Sequence, residues 1–120
     1  AALSNDGAEL EILHPVSRAK TGIVFVLRGK DSKIYRQLTN DFRAKAVKEK
    51  IENPIEAAEQ KALDSRLACT VTWRGMIKDG KDWEFSAERA RELYEDPGYA
   101  WLVDQVDAFI HERAHFLPKA

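Results

Sequence analysis

The sequence predicts a mainly helical α+β fold. Two short runs near the N-terminus have the residue pattern of β-strands, and later stretches repeat apolar residues at helical spacing. An Asp-Gly dipeptide between apolar pairs predicts a small second hairpin. The chain has 120 residues, 44% hydrophobic and 32% charged, which suits one globular domain. We therefore expect residues 1–120 to form a single domain, with residues 1–7 disordered.

The N-terminal strands are predicted to form an antiparallel β-hairpin. Residues 9–13 alternate in polarity like a half-buried strand, and His14-Pro15 ends this run. Residues 22–27 are apolar and rich in β-branched side chains. A lone hairpin is marginally stable in water, so we expect it to pack on helices.

The first predicted helix has an apolar stripe and a basic face, and Asp31 or Ser32 can cap its N-terminus. The basic face is the only feature that favours nucleic acid. Neither interleaved aromatic residues nor a recognition motif accompany it, which favours an ordinary solvated surface. The stripe contains Ile34, Leu38, Phe42 and Val47, and the basic face contains Lys33, Arg36, Arg43, Lys45, Lys48 and Lys50.

The second predicted helix has a strong start signal. Asn53 is a good N-cap, Pro54 suits the first helical position, and Glu56 suits the third. Small and apolar residues continue the helical pattern beyond this start. We expect the helix to run to about Trp73 and to stop at Gly75.

The C-terminal part is predicted to hold the small hairpin and two further helices. The hairpin turns at Asp79-Gly80, and Ser86 caps a short helix. Asp96-Pro97 opens an amphipathic closing helix that continues to the C-terminus. Its apolar arc contains Leu102, Val103, Val106, Phe109, Ile110, Ala114 and Leu117.

Residues 111–115 spell HExxH, the zinc-peptidase pattern. On a continuous helix His111 and His115 would lie one turn apart, with Glu112 as general base. Such a site needs a third protein ligand, and no zinc ligand follows the motif. A solvated face with Asp107 paired to His111 is therefore favoured over a zinc hydrolase. The polar sector could still take up zinc or nickel adventitiously, and it comprises Asp104, Asp107, His111 and His115.

Bulk properties add no sign of catalysis. The net charge is −1, which gives no global reason to expect nucleic acid or a membrane surface. The single Cys69 cannot form an intrachain disulfide, which favours a buried thiol in a reducing cytoplasm. Phosphate-binding loops, Cys pairs and nucleophile elbows are absent from the sequence. We expect no catalytic residue and no cofactor.

Tryptophan residues are the most informative candidates for recognition. Trp101 projects outside the apolar arc of the closing helix and is near Tyr99 in sequence. A tryptophan that does not fit wholly in a core is either a binding anchor or a partly packed side chain, and both readings stay open for Trp101. Trp73 and Trp83 bracket the small hairpin, where partial core packing is favoured.

Three segments resemble small tail-assembly chaperones of long-tailed bacteriophages. The shared features are a first strand that ends in His-Pro, a second strand that leads into G-x-D-S, a Trp after an Ala-Cys-containing helix, a D-G turn, F-S, and a final helix near Q-V-D. The resemblance covers about residues 9–117 and departs from the family at HERAH. Its segments read ELEILHPVSRAKTGIVFVLRGKDSKIYRQL, ACTVTWRGMIKDGKDWEFSAERARELYED and WLVDQVDAFIHERAHFL.

This resemblance implies a non-virion protein of the host cytoplasm that binds the helical tape-measure protein and helps to recruit tail-tube subunits during tail assembly. Its candidate partner-binding residues are Trp101, Tyr99, Lys33, Arg36 and Arg43. An alternative is a small phage or prophage structural component, such as a head–tail protein. The zinc hydrolase is the remote alternative.

Overall fold

The computed structural model describes residues 5–48 and 53–116. The fold is α+β, as the sequence predicts, with an antiparallel three-stranded sheet, a two-stranded hairpin and α-helices. The strands are β1 (Ala8–Leu13), β2 (Lys20–Leu27), β3 (Thr70–Arg74), β4 (Ile77–Lys78) and β5 (Lys81–Asp82). The helices are α1 (Lys33–Lys48), α2 (Pro54–Cys69), α3 (Ala87–Glu95) and α4 (Ala100–His111), with 3-10 turns at Pro97–Tyr99 and Arg113–Phe116.

The predicted N-terminal hairpin is formed by β1 and β2. In the connecting turn, Nδ1 of His14 accepts hydrogen bonds from the backbone N–H groups of Val16 and Ser17, each at 3.2 Å. Phe25 in β2 pairs with Leu10 on one side and with Trp73 on the other. Because side chains alternate along a strand, this row of residues lies on the face of the sheet that meets the core.

The prediction that the second helix runs to about Trp73 is wrong. α2 ends at Cys69, and residues 70–74 form β3, which pairs antiparallel with β2. β-Branched and aromatic residues dominate this run, and they favour a strand once β2 offers an open edge. Gly75, the expected helix stop, instead follows β3, and its own φ is 80°.

Several local signals are confirmed. The side chain of Asn53 accepts a hydrogen bond from the Glu56 N–H at 3.1 Å, as an N-cap does. Ser86 caps α3 in the same way. Asp79 and Gly80 both have positive φ, at 55° and 76°, between β4 and β5. Two positive φ values in a two-residue turn are typical of a tight hairpin.

The core lies between the three-stranded sheet and helices α3 and α4. α4 packs against β1 and β2, and the side chain of Gln105 bonds the backbone N–H and C=O of Leu13, each at 2.8 Å. This contact attaches α4 to the end of β1. The buried apolar residues are Ile12, Phe25, Leu27, Cys69, Trp73, Met76, Ala90, Leu93, Tyr94, Leu102, Val106, Phe109, Ile110 and Phe116.

The expected continuation of the closing helix beyond His111 is also wrong. Glu112 is the C-cap of α4 with a ψ of 102°, and a 3-10 turn follows. The turn is held over the start of α1, because Arg113 bonds the carboxylate of Asp31 at 2.8 and 3.2 Å. Phe116 is buried against Gly29. Ala114 is exposed and does not join the apolar arc, and Leu117 lies outside the described residues.

The predicted disorder of residues 1–7 falls partly outside the described range, which begins at Asn5. The Asn5 carbonyl accepts from Nε of Arg28 at 2.9 Å, and its side-chain oxygen accepts from the N–H of Lys33 at 2.8 Å. These bonds attach residue 5 to the body. Within the two described stretches, every helix is too short or too polar to cross a bilayer.

Candidate partner-binding site

The helical arm, defined as α1 with α2, leaves much apolar surface exposed. No residue of α1 is buried, and its main packing partner is α2. Ile34 is 40% exposed, Val47 is 88% exposed, and Ile55 on α2 is 73% exposed. Large side chains this open are not part of the core, so the arm has apolar surface available for another molecule.

Three of the predicted contact residues lie on the outer face of α1. At about 100° per residue, Lys33, Arg36, Asn40, Arg43 and Val47 fall within a sector roughly 80° wide, and all five are exposed. We call these five residues the basic stripe. The predicted basic face is therefore narrower than expected. Lys45 and Lys48 point to other sides of the helix by the same geometry, and Lys50 lies outside the described residues.

Charge is concentrated on α1. The helix carries five cationic side chains and one carboxylate, Asp41, so its net charge is five minus one, or +4. The whole chain has a net charge of −1, which leaves −5 for the other residues. Within residues 5–48 and 53–116, none of the five α1 cations forms an ion pair. Among the described residues, the α1 cations therefore lack a direct carboxylate partner, which leaves them free to attract an acidic group.

An open groove of about 270 Å³ runs between α1 and α2. Apolar side chains such as Leu38 and Phe42 form its walls, and charged groups form its rim. Nζ of Lys61 lies 5.8 Å from the centre of the Phe42 ring, within cation–π range. The groove is lined by Leu38, Asp41, Phe42, Lys45, Ala57, Gln60, Lys61 and Asp64.

A contact between Tyr35 and His111 connects the arm to the body. Nδ1 of His111 lies 2.8 Å from the Asp107 carbonyl oxygen, and Nε2 lies 3.1 Å from the Tyr35 hydroxyl. A carbonyl only accepts, so neutral His111 carries its proton on Nδ1 and the tyrosine donates to Nε2. Burial raises the pKa of Tyr35, which keeps this donor protonated at neutral pH.

The HExxH residues do not form the predicted one-turn pair on a helix. The helix ends at His111, and the ring of His115 stacks on Phe109 with centroids 4.1 Å apart. The carboxylate of Glu112 accepts from the Ala114 N–H at 3.2 Å. Glu112 therefore caps the turn and is not directed to a site between the two imidazoles.

The predicted polar sector does not come together as a metal site. The carboxylate of Asp107 bonds Arg66 through two contacts of 2.8 Å, so the expected pairing of Asp107 with His111 is wrong. Asp104 is exposed on α4, and His115 has left the helix. In the part of the chain that the structure describes, no three or more His, Cys, Asp or Glu side chains form a cluster suited to a metal.

The aromatic candidates lie away from the basic stripe. Trp101 and Tyr99 are half-buried and pack against the core. Trp101 is near the start of α4, whereas the contact with α1 is at its end, at His111. Ten residues of helix separate these points by about 15 Å. The structure therefore does not combine Trp101 and Tyr99 with Lys33, Arg36 and Arg43 in one patch.

The remaining sequence candidates are structural. Trp73 is buried and donates from Nε1 to the Trp83 carbonyl at 2.7 Å, and Trp83 is half-buried beside it. Cys69 has no exposed surface, and burial raises the pKa of its thiol to about 11. At neutral pH this thiol is protonated and poorly nucleophilic, as expected for a structural cysteine.

The groove was not predicted from the sequence, although one signal pointed to it. At about 100° per residue, Ile34, Leu38 and Phe42 share a sector roughly 80° wide. The prediction that Val47 belongs to this apolar stripe is wrong, because Val47 lies on the other side of α1, in the basic stripe, and is 88% exposed. A narrow stripe can cover one neighbouring helix but cannot fill a core on two sides.

Comparison with known proteins gave no match, either to a family model or to a curated protein or a solved structure.

Proposed function

We propose that this chain is a phage tail-assembly chaperone that binds the tape-measure protein during tail morphogenesis. The observation that carries the proposal is the helical arm. α1 has no buried residue, presents exposed Ile34 and Val47, and borders an apolar groove. The resemblance of residues 9–117 to this chaperone family supplies the identity of the partner.

The proposed mechanism is shielding by many weak contacts. A tape-measure protein is a long helix with apolar stretches, and such stretches aggregate when they are exposed to water. A helix that docks on an arm such as α1 with α2 loses that exposure. Many copies of a small protein along one long partner gain avidity without one tight site. No bond is made or broken, so the function needs no catalytic residue.

Co-expression tests the proposal directly. The proposal predicts that the gene for this chain lies near a tail-tube gene and a very long tape-measure gene. Co-expression with that tape-measure protein should raise its soluble fraction several-fold over expression alone. The matched control is the Phe25→Ala variant, in which a buried core residue is removed and the fold is weakened. A soluble fraction that does not change with the wild-type chain contradicts the proposal.

A further inference from the structure

We propose that the basic stripe docks an acidic helix of a partner protein, which lies along the outer face of α1. The inference rests on the proposed function and deepens it, since it names the chemistry of the partner segment that would contact the outer face of α1. It rests on the spacing, exposure and charge of the stripe residues Lys33, Arg36, Asn40, Arg43 and Val47.

The spacing of the stripe suits a helical partner. Its members follow one another at intervals of three, four, three and four residues. Intervals of three and four residues keep all five side chains on one side of α1, and a second helix can lie along such a seam. The stripe covers 15 residues of helix, about 21 Å between its first and last Cα atoms. A partner helix of about four turns would contact all five positions.

The charge of the stripe selects an acidic partner. Three of its five positions are cationic, and none of these three forms an ion pair within residues 5–48 and 53–116. If two copies of this chain packed together through their basic stripes, cations would face cations, which is unfavourable along such a seam. Glutamate or aspartate on the partner helix would neutralise them and would also speed association.

The apolar and aromatic residues of α1 favour protein over nucleic acid. Val47 completes the stripe with 88% of its surface exposed, and an isopropyl group has no favourable contact with a phosphate backbone. The aromatic rings of α1, Tyr35 and Phe42, face α2 and interact with Lys61. They are thus not placed to stack on bases, as single-stranded nucleic acid requires.

Binding of a synthetic peptide tests the inference without a tape-measure protein. The probe is a labelled 21-residue helical peptide with glutamate at intervals of three and four residues along one face. A control peptide has lysine at the same positions. We expect the wild-type chain to bind the acidic peptide, and the double variant R36E/R43E to bind it at least tenfold more weakly. Raising the salt from about 50 to 500 mM should weaken the wild-type complex several-fold.

The control variant is R18E/K81E, which makes the same change in net charge at exposed cations outside the arm. It should bind like the wild type, and thermal melts should show that both variants fold. Equal binding by R36E/R43E and the wild type would overturn the inference. Tighter binding of a 21-base-pair DNA duplex than of the acidic peptide would also overturn it, as would self-association that R36E/R43E abolishes in sedimentation.

The two proposals fail separately. If the wild-type chain binds the acidic peptide through the stripe but does not raise the soluble fraction of the tape-measure protein, the chaperone proposal falls and the docking inference stands. If co-expression succeeds equally with R36E/R43E, the chaperone proposal stands and the docking inference falls.

Discussion

Gly75→Ala is expected to lower the free energy of unfolding by about 2–5 kcal/mol. Gly75 has a φ of 80°, which disfavours any residue with a Cβ. An added Cβ would also overlap the carbonyl oxygen of Gly22 at the start of β2. The backbone has little room to yield there, because Arg74 is paired with Val24 in the sheet. Urea unfolding followed by circular dichroism measures the change.

Gly80→Ala is the matched control for this substitution. Gly80 has a similar φ of 76°, but nothing lies within 4 Å of a Cβ at that position. Gly80→Ala should lower the free energy of unfolding by only about 1–2 kcal/mol, because the positive φ is unfavourable for alanine but no neighbouring atom is displaced. Equal losses for the two variants would show that the close approach of Gly75 to Gly22 has no energetic consequence.

Phe25→Ala is expected to lower the free energy of unfolding by about 3–5 kcal/mol. The side chain has no exposed surface and packs at 5.3 Å, centroid to centroid, against Trp73. Its removal leaves a cavity at the centre of the sheet, and the paired strands restrict collapse into it. The same denaturant titration measures the loss.

Phe42→Ala removes the same atoms from the helical arm and serves as the control. Phe42 is half-buried in the groove between α1 and α2. The expected loss is less than half that of Phe25→Ala, since less apolar area leaves water at this site on folding. A loss as large as that of Phe25→Ala would mean that the arm is part of the core.

Local signals in the sequence were sufficient for most of the helix starts and turns. Asn53, Ser86 and the Asp79-Gly80 turn act through neighbours within a few residues, so their effect does not depend on the rest of the fold. The N-terminal hairpin was predicted for the same reason: residues 8–27 contain both strands and the turn between them.

The errors occurred where distant contacts decide the structure. The β-branched run after Cys69 becomes a strand because β2, more than 40 residues earlier, offers an edge to pair with. The helical pattern continues past His111, yet the chain turns because Arg113 binds Asp31 and the Ile110 carbonyl accepts from the Lys30 N–H at 3.0 Å. No spacing rule within the segment contains that information.

The sequence predicted which residues of α1 are candidates for partner binding, but it did not predict which candidates lie together. The sequence identifies Lys33, Arg36 and Arg43 as cations on one helix, and the structure places them on one exposed face. It also suggests Trp101 as a contact, but the position of Trp101 relative to α1 depends on how α4 crosses the sheet. Periodicity within one helix predicts which residues share a face, but it does not predict which helices pack against each other.

Hydrogen exchange in the complex with the tape-measure protein tests most directly whether the helical arm is the binding surface. We expect the amides of α1 to exchange more slowly in the complex than in the free chain, because a docked helix suppresses local opening. The amides at the start of α4, around Trp101, should exchange at the same rate in both states. Slowed exchange confined to the start of α4, with α1 unchanged, would contradict the account.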